Sequence, residues 1–118
     1  MNIEYSIIAK NIPVLRLSGE LDLRNVAKVR HAIREMTERP NTDMIVNISE
    51  LDFIDCSGLG VLVGGLAHVR GHDGSMKLAC NNQRILNVFA ITRLTKLFDI
   101  YETDDAAARG LMSQHKDA

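Results

Sequence analysis

Tryptophan is missing from this sequence, and only three Phe and two Tyr supply aromatic surface. Stacking platforms of the kind that hold single-stranded nucleic acid are therefore scarce. Neither sign of charge dominates: 14 Lys and Arg face 15 Asp and Glu, leaving a net charge of −1. No stretch gathers the basic residues into a stripe that could displace counterions from a phosphate backbone, which argues against direct nucleic-acid binding. Two cysteines are too few for a disulfide framework. Cys56 and Cys80 lack CxxC spacing and read as small hydrophobes, although Cys56 beside a helix N-terminus would be unusually acidic if exposed. The longest apolar run, near Leu59 to Ala67, is interrupted by Gly64-Gly65. It falls well short of the roughly 20 residues that cross a bilayer. The opening Met1-Asn2-Ile3-Glu4-Tyr5 has neither the positive patch nor the apolar core of a secretory signal. The expectation is a protein of the reducing cytoplasm, with no membrane partner and no cofactor.

What is present suits one compact domain over residues 1–118, with a tail that frays after about Gln114. Composition is 46% hydrophobic and 25% charged, close to the average of folded globular chains. The only two prolines, Pro13 and Pro40, fall where the periodicity changes. Strand character over Ile3–Ala9 and Val14–Ser18, separated by Lys10-Asn11-Ile12-Pro13, predicts an opening hairpin. Val26, Val29, Ile33 and Met36 recur at helical spacing, ended by Pro40. Met44-Ile45-Val46-Asn47-Ile48 suits a central strand covered on both faces. Leu59, Leu62, Leu66 and Val69 mark a second helix, broken near Gly71 and Gly74. Met76–Cys80 reads as an alternating strand. Asn81 and Asn82 are candidate caps for a short helix through Ile85, Val88 and Phe89, and Leu97–Tyr101 supplies a last strand. Asp104 and Asp105 open a closing helix that carries Leu111 and Met112. Met36, Met44, Met76 and Met112 read as packing. The order predicts an α/β domain: a mixed sheet of about five strands packed against about four helices.

The chemistry concentrates at Asp55-Cys56-Ser57-Gly58-Leu59-Gly60, where a strand runs directly into a helix. Ser57 reads as the N-cap of that helix, its hydroxyl facing unpaired backbone N–H groups. One reading of Ser57 is a cap and nothing more. The other starts from phosphate: Gly58 and Gly60 leave the backbone uncluttered, and the helix dipole favours an anion. A phosphate near −2 beside Asp55 would turn the local surface strongly negative. Charges of −2 and −1 at ~6 Å repel by roughly 5 kcal/mol at an effective dielectric of 20, before salt screening.

This segment, together with Gly19-Glu20-Leu21-Asp22 and with Arg84-Ile85-Leu86 through Leu94-Thr95-Lys96-Leu97-Phe98, resembles the STAS-domain anti-sigma factor antagonists over nearly the whole chain. Gly58 to Cys80, including Gly64-Gly65-Leu66 and Val69-Arg70, looks most like actinobacterial members. The resemblance implies a non-enzymatic partner-switching protein. An ATP-dependent anti-sigma factor serine kinase binds the unphosphorylated form and releases a sigma factor, phosphorylation reverses the binding, and a serine phosphatase resets the cycle. It places Ser57 at the phosphorylated position and brings Asp22 and Asp55 close to it. It implies a partner face of Asp22, Leu23, Asp55, Cys56, Ser57, Gly58 and Leu59. Cys56 departs from the Ser, Ala or Thr expected there. A weak dimer is left open.

Other readings attach to the same residues. The alternative within the fold is a STAS adaptor of a transporter or sensory complex. Gly58-Leu59-Gly60-Val61-Leu62-Val63-Gly64 is similar to a dinucleotide fingerprint, but its third glycine is one residue late and no Gly-Lys-Ser/Thr follows. Those glycines read instead as close packing of helix on sheet. Asp55 stands where a hydrolase elbow needs glycine, and no histidine is near in sequence, although His31 could approach in space. His68 and His72 have the spacing of a metal pair but only Asp73 beside them, so solvated side chains are expected.

Overall fold

A computed structural model of the chain describes residues 1–8, 11–38 and 43–115, with side chains to residue 113. Strand β1 (Asn2–Ile8) pairs antiparallel with β2 (Ile12–Leu21), forming the expected hairpin. β2 is longer than its apolar members suggested, because Ile12 and Pro13 already pair with Ile8 and Ile7. Pro13 thus belongs to a strand rather than to the turn. Pairing with the next strand begins only at Val14, so the missing N–H of Pro13 breaks no ladder bond on that side. Ala9 and Lys10 of the expected hairpin, and Pro40 at the expected end of the first helix, lie outside the described residues.

Helix α1 (Val26–Thr37) buries Val26, Val29, Ile33 and Met36, as their spacing predicts. β3 (Met44–Ile54) is buried on both faces from Met44 to Ile48, the signature of a central strand. Helix α2 (Cys56–Gly71) follows after one residue and buries Leu59, Leu62, Leu66 and Val69. β4 (Met76–Ala79) does not alternate: all four residues are buried, because the strand lies between two neighbours with helices above and below. Lys77 is accommodated there by running its stem outward, so that its amine reaches the exposed carboxylate of Asp99. Helix α3 (Gln83–Ile91) is capped by Asn82, whose side chain accepts from Arg84 N–H. Asn81 instead donates its backbone N–H to the Ser49 hydroxyl.

The last strand is shorter than expected. Leu94–Lys96 forms a single 3-10 turn, and β5 is only Ile100–Tyr101. Phe98 leaves the strand to pack edge-on against Phe89, 5.8 Å between ring centres. Helix α4 (Asp104–His115) starts with the expected acidic pair. The Asp104 carboxylate is held by Arg16 at 2.5 Å and by the Asn47 amide at 2.7 Å, so it ties α4 to the sheet as well as facing the helix dipole.

Among the described residues the sheet has five strands in the order β1-β2-β3-β4-β5, with β2 to β5 parallel. Each crossover steps the same way along the sheet, which places α1, α2 and α3 on one face. The main core lies there, and a smaller one of Ile12, Val14, Ile45, Ala79, Ala107, Ala108 and Leu111 sits beneath α4. Met36, Met44 and Met76 are buried in the main core, and Met112 packs at the edge of the smaller one.

Candidate functional site

The C-terminal ends of β2 and β3 bring the two acidic segments together. Two irregularities in the β2–β3 register, after Arg16 and after Gly19, leave Leu21 opposite Ile54. Gly19 makes the second possible: its φ of 95° lies where a side chain is strained, and a Cβ would press on Met1 at 3.2 Å. Asp22 and Asp55 then leave neighbouring strand ends in step, linked by Asp55 N–H donating to the Leu21 carbonyl at 3.2 Å. Far apart in sequence, the two residues become neighbours through strand register.

The helix cap is Asp55, not Ser57. Asp55 is extended (φ −106°, ψ −174°), and its carboxylate accepts the Gly58 N–H at 2.9 Å. Its carbonyl takes the first helical bond, from Leu59 N–H at 2.9 Å. The strand continues through Ile54, so the first residue free to leave extended geometry is Asp55, and a carboxylate there satisfies the third helical donor. Ser57 is consequently the second residue of α2. It is half-buried, and its hydroxyl has no hydrogen-bond partner among the described residues. Every fully buried side-chain polar atom among those residues has a partner, so the Ser57 oxygen must reach solvent. The cap leaves the hydroxyl unengaged and not fully buried.

Asp22 is engaged differently. Arg24 grips its carboxylate in a fork, with Nε 3.2 Å from Oδ1 and Nη2 2.7 Å from Oδ2, and its Nη2 also donates to Glu20 at 2.9 Å. The Arg24 guanidinium holds the Asp22 carboxyl below its ordinary value of 3.8. Asn25 closes the loop by accepting from Asp22 N–H at 2.9 Å and donating its amide to the Glu20 carbonyl. The Asp22 carboxylate is therefore matched with a cation, whereas no salt bridge to Asp55 occurs among the described residues.

Of the remaining residues expected at the face, Leu23 is 73% exposed and Cys56 is exposed. Gly58 and Leu59 are buried, so neither side offers a contact surface; their part is to seat the helix. A Cβ on Gly58 would stand 2.8 Å from Ile54 Cγ1, Leu21 Cγ and the Leu21 carbonyl oxygen. The expected close packing of helix on sheet is thus real at Gly58. Gly65 instead meets Ile33 of α1, and Gly60 and Gly64 face open space. Those two line a groove of about 150 Å³ between α1 and α2, walled by Arg30, Arg34 and His68.

Two neighbours were not singled out from sequence. Arg24 could be found only through the fork it makes. Phe53 is 49% exposed because the register shift turns it outward, next to Glu20, and an apolar residue in an apolar strand gives no sign of this. His31 sits on the outer side of α1, 3.5 Å from Glu35. His68 Nε2 lies 3.0 Å from the Thr37 hydroxyl, and His72 Nδ1 lies 3.0 Å from the His68 carbonyl. No group of three metal-binding side chains occurs among the described residues, and no helix there is long and apolar enough to cross a membrane.

The site is thus a serine hydroxyl in the first turn of a helix, set where the ends of β2 and β3 meet on an α/β frame. The chain belongs to the STAS domain family, whose model matches residues 6–107. It is 29% identical over 86 residues to the anti-sigma-B factor antagonist of Bacillus subtilis, covering 73% of this chain and 78% of that protein. The anti-sigma factor antagonist SpoIIAA in its unphosphorylated form superposes with a TM-score of 0.75 at 25% identity, over 92% of this chain and 95% of that one. The phosphorylated form of the Bacillus protein gives 0.69 at 25% identity, covering 92% and 98%. An anti-sigma factor antagonist from Mycobacterium paratuberculosis shares the fold, with a TM-score of 0.81 at 20% identity over 94% and 95%.

Proposed function

We propose that this chain is an anti-sigma factor antagonist switched by phosphorylation of Ser57. In the unphosphorylated state it binds an anti-sigma factor that is itself an ATP-dependent serine kinase, and so frees a sigma factor. The kinase phosphorylates Ser57 and departs, and a serine phosphatase restores the binding form. The protein works in the cytoplasm as a regulator without turnover chemistry of its own. Within the family its affinity leans towards the actinobacterial branch, a reading that rests on the Gly58–Cys80 sequence.

The observation that carries this reading is the Ser57 hydroxyl, not fully buried and without a hydrogen-bond partner among the described residues, two residues after a capping carboxylate. It is supported by relatives named as antagonists and by one of them having a phosphorylated and an unphosphorylated structure. The contact face comprises Asp22, Leu23, Phe53, Asp55, Cys56 and Ser57. Leu23 and Phe53 supply apolar area, and the Asp55 carboxylate, rather than the Arg24-paired Asp22, sets the charge. Gly58 and Leu59 act from beneath by holding Ser57 in place.

The test is capture from host cells with tagged wild-type, Ser57→Ala and Ser57→Asp proteins, followed by mass spectrometry of the Ser57 peptide. Ser57→Ala should retain an ATP-binding kinase and Ser57→Asp should lose it, with phosphate found on Ser57 of the wild-type chain. Equal capture by Ser57→Ala and Ser57→Asp would overturn the reading.

A further inference from the structure

The two edges of the sheet are unequal. β5 ends one side with only two residues, too short to template another strand. β1 ends the other with seven, Asn2-Ile3-Glu4-Tyr5-Ser6-Ile7-Ile8, all paired to β2 on their inner side. Most of the devices that protect an edge strand are missing along β1: it has no Lys, no Arg, no Pro and no register break against β2. Its one charge is Glu4. Tyr5 is 55% and Ile7 60% exposed, the two large apolar side chains left in the open on this strand. With Ile3, which packs against the main core, they alternate to the face that carries α1. Beside them lies an open depression of about 320 Å³, lined by Tyr5, Ile7, Pro13 and Met36.

We propose that β1 is a self-association edge, and that two copies of this chain pair their β1 strands antiparallel about a two-fold axis at Tyr5. The occupant follows from the sequence of the strand. An antiparallel pair centred on Tyr5 engages all seven residues and sets Ile3 opposite Ile7, Tyr5 opposite Tyr5, and Glu4 opposite Ser6. Cross-strand apolar and aromatic pairs of this kind stabilise a ladder, whereas like charges face to face weaken it. Centring on Glu4 would oppose the two carboxylates, and centring on Ser6 would strand the first two residues outside the ladder. The Tyr5 register alone keeps all seven residues in the ladder without opposing like charges. The surface covered is one strand per copy, well below the roughly 1,600 Å² of a standard interface, so the dimer is a reversible one set by concentration. Ser57 lies on α2, which follows β3 rather than β1, and the inference does not depend on its phosphorylation.

Sedimentation of the full chain should show a monomer–dimer equilibrium, shifted to monomer by Ile7→Lys, which sets a cation beside the partner's Ile3. In a Cys56→Ser background, which leaves only the buried Cys80, Tyr5→Cys should form an intersubunit disulfide on mild oxidation. Ile3→Cys and Ile7→Cys should each fail alone and cross-link when mixed, since residue 3 faces residue 7. Antiparallel neighbours stand close enough for such a bridge. A single monomeric species up to about 1 mM, where even an association of −4 kcal/mol is half populated, would overturn the proposal. So would Ile3→Cys cross-linking alone as fast as Tyr5→Cys, or a dimer unchanged by Ile7→Lys.

Discussion

Replacing Gly58 by Ala should destabilise the protein, while the same change at Gly64, two turns along the same helix, should stabilise it. Ala outperforms Gly in a helix interior by up to ~1 kcal/mol, and without tertiary contacts both variants would gain. At Gly64 nothing lies within 4 Å of the new Cβ, so the gain stands, at about 0.5–1 kcal/mol. At Gly58 the Cβ would sit 2.8 Å from two side-chain carbons and from the Leu21 carbonyl oxygen. The carbons can turn aside, but the carbonyl is fixed by the Asp55 N–H that it accepts. Overpacking costs of order 1–3 kcal/mol, and a backbone obstacle belongs in the upper part of that range. Subtracting the propensity gain leaves a net loss of about 1–2 kcal/mol. The two variants should therefore differ by about 2 kcal/mol, several degrees in melting temperature for a domain of this size. Urea denaturation at constant m reads the difference directly. Equal shifts in the same direction would show that α2 does not approach the end of β2 as closely as described. If the proposed function holds, Gly58→Ala should also weaken partner capture, because the Leu21 carbonyl it presses on belongs to the residue before Asp22.

Asp55→Ala removes the cap of α2 and should cost about 0.5–2 kcal/mol in chemical denaturation, whereas Asp55→Asn keeps an accepting oxygen and should stay near wild type. Arg24→Ala should raise the titration midpoint of the Asp22 carboxyl towards 3.8 in an NMR pH series. Because pairing depresses this group in the folded state, its stabilisation is complete above the unfolded value and fades as pH falls through the lowered one. Wild type and Arg24→Ala should thus differ at neutral pH and converge in acid. A thiol reagent should label one cysteine quickly and the second only on unfolding. Cys56 is exposed, while burial pushes the Cys80 thiol up and hides it.

The frame of the fold was legible because the apolar spacing is strong where packing is dense. Val26, Val29, Ile33 and Met36 could only be one face of a helix, and Met44–Ile48 could only be buried on both sides. Elements were misjudged where a tertiary partner overrides local pattern. Lys77 made β4 look alternating, because the exposed carboxylate that lets a lysine stem run through the interior lies 22 residues away at Asp99. Phe98 made β5 look longer than it is, because an aromatic that stacks on Phe89 reads as a strand residue. At the site, the residue before the helix competed with the serine inside it for the cap. Both types favour that position, and the continuation of β3 to Ile54 decides for Asp55. The nearness of Asp22 came from the family resemblance, and its physical basis is the Gly19 irregularity that no periodicity reveals. The Arg24 fork and the outward turn of Phe53 follow from the same shift, and both stayed hidden for that reason.

The division of labour between Asp55 and Ser57 bears on how a switch can act without unfolding its carrier. Had Ser57 been the cap, esterifying its oxygen would have disturbed the bond that starts α2, and modification would have been coupled to helix stability. With Asp55 holding the Gly58 N–H, phosphate on Ser57 displaces no hydrogen bond, and the positive end of α2 favours it by ~0.3–1 kcal/mol. The fold is then indifferent or slightly favourable to the charge, and the cost is transferred to whatever docks over it. Asp22 contributes little to that cost, since Arg24 neutralises it and the pair turns towards Glu20. Asp55 accepts from a neutral backbone N–H and has no salt-bridge partner among the described residues, so it is the carboxylate against which a phosphate near −2 would be felt. A partner that tolerates one carboxylate on this face would meet three negative charges within a single helical turn. On the proposed switch, a modified Ser57 would therefore work on the interface alone, and the helix beneath it would serve in both states.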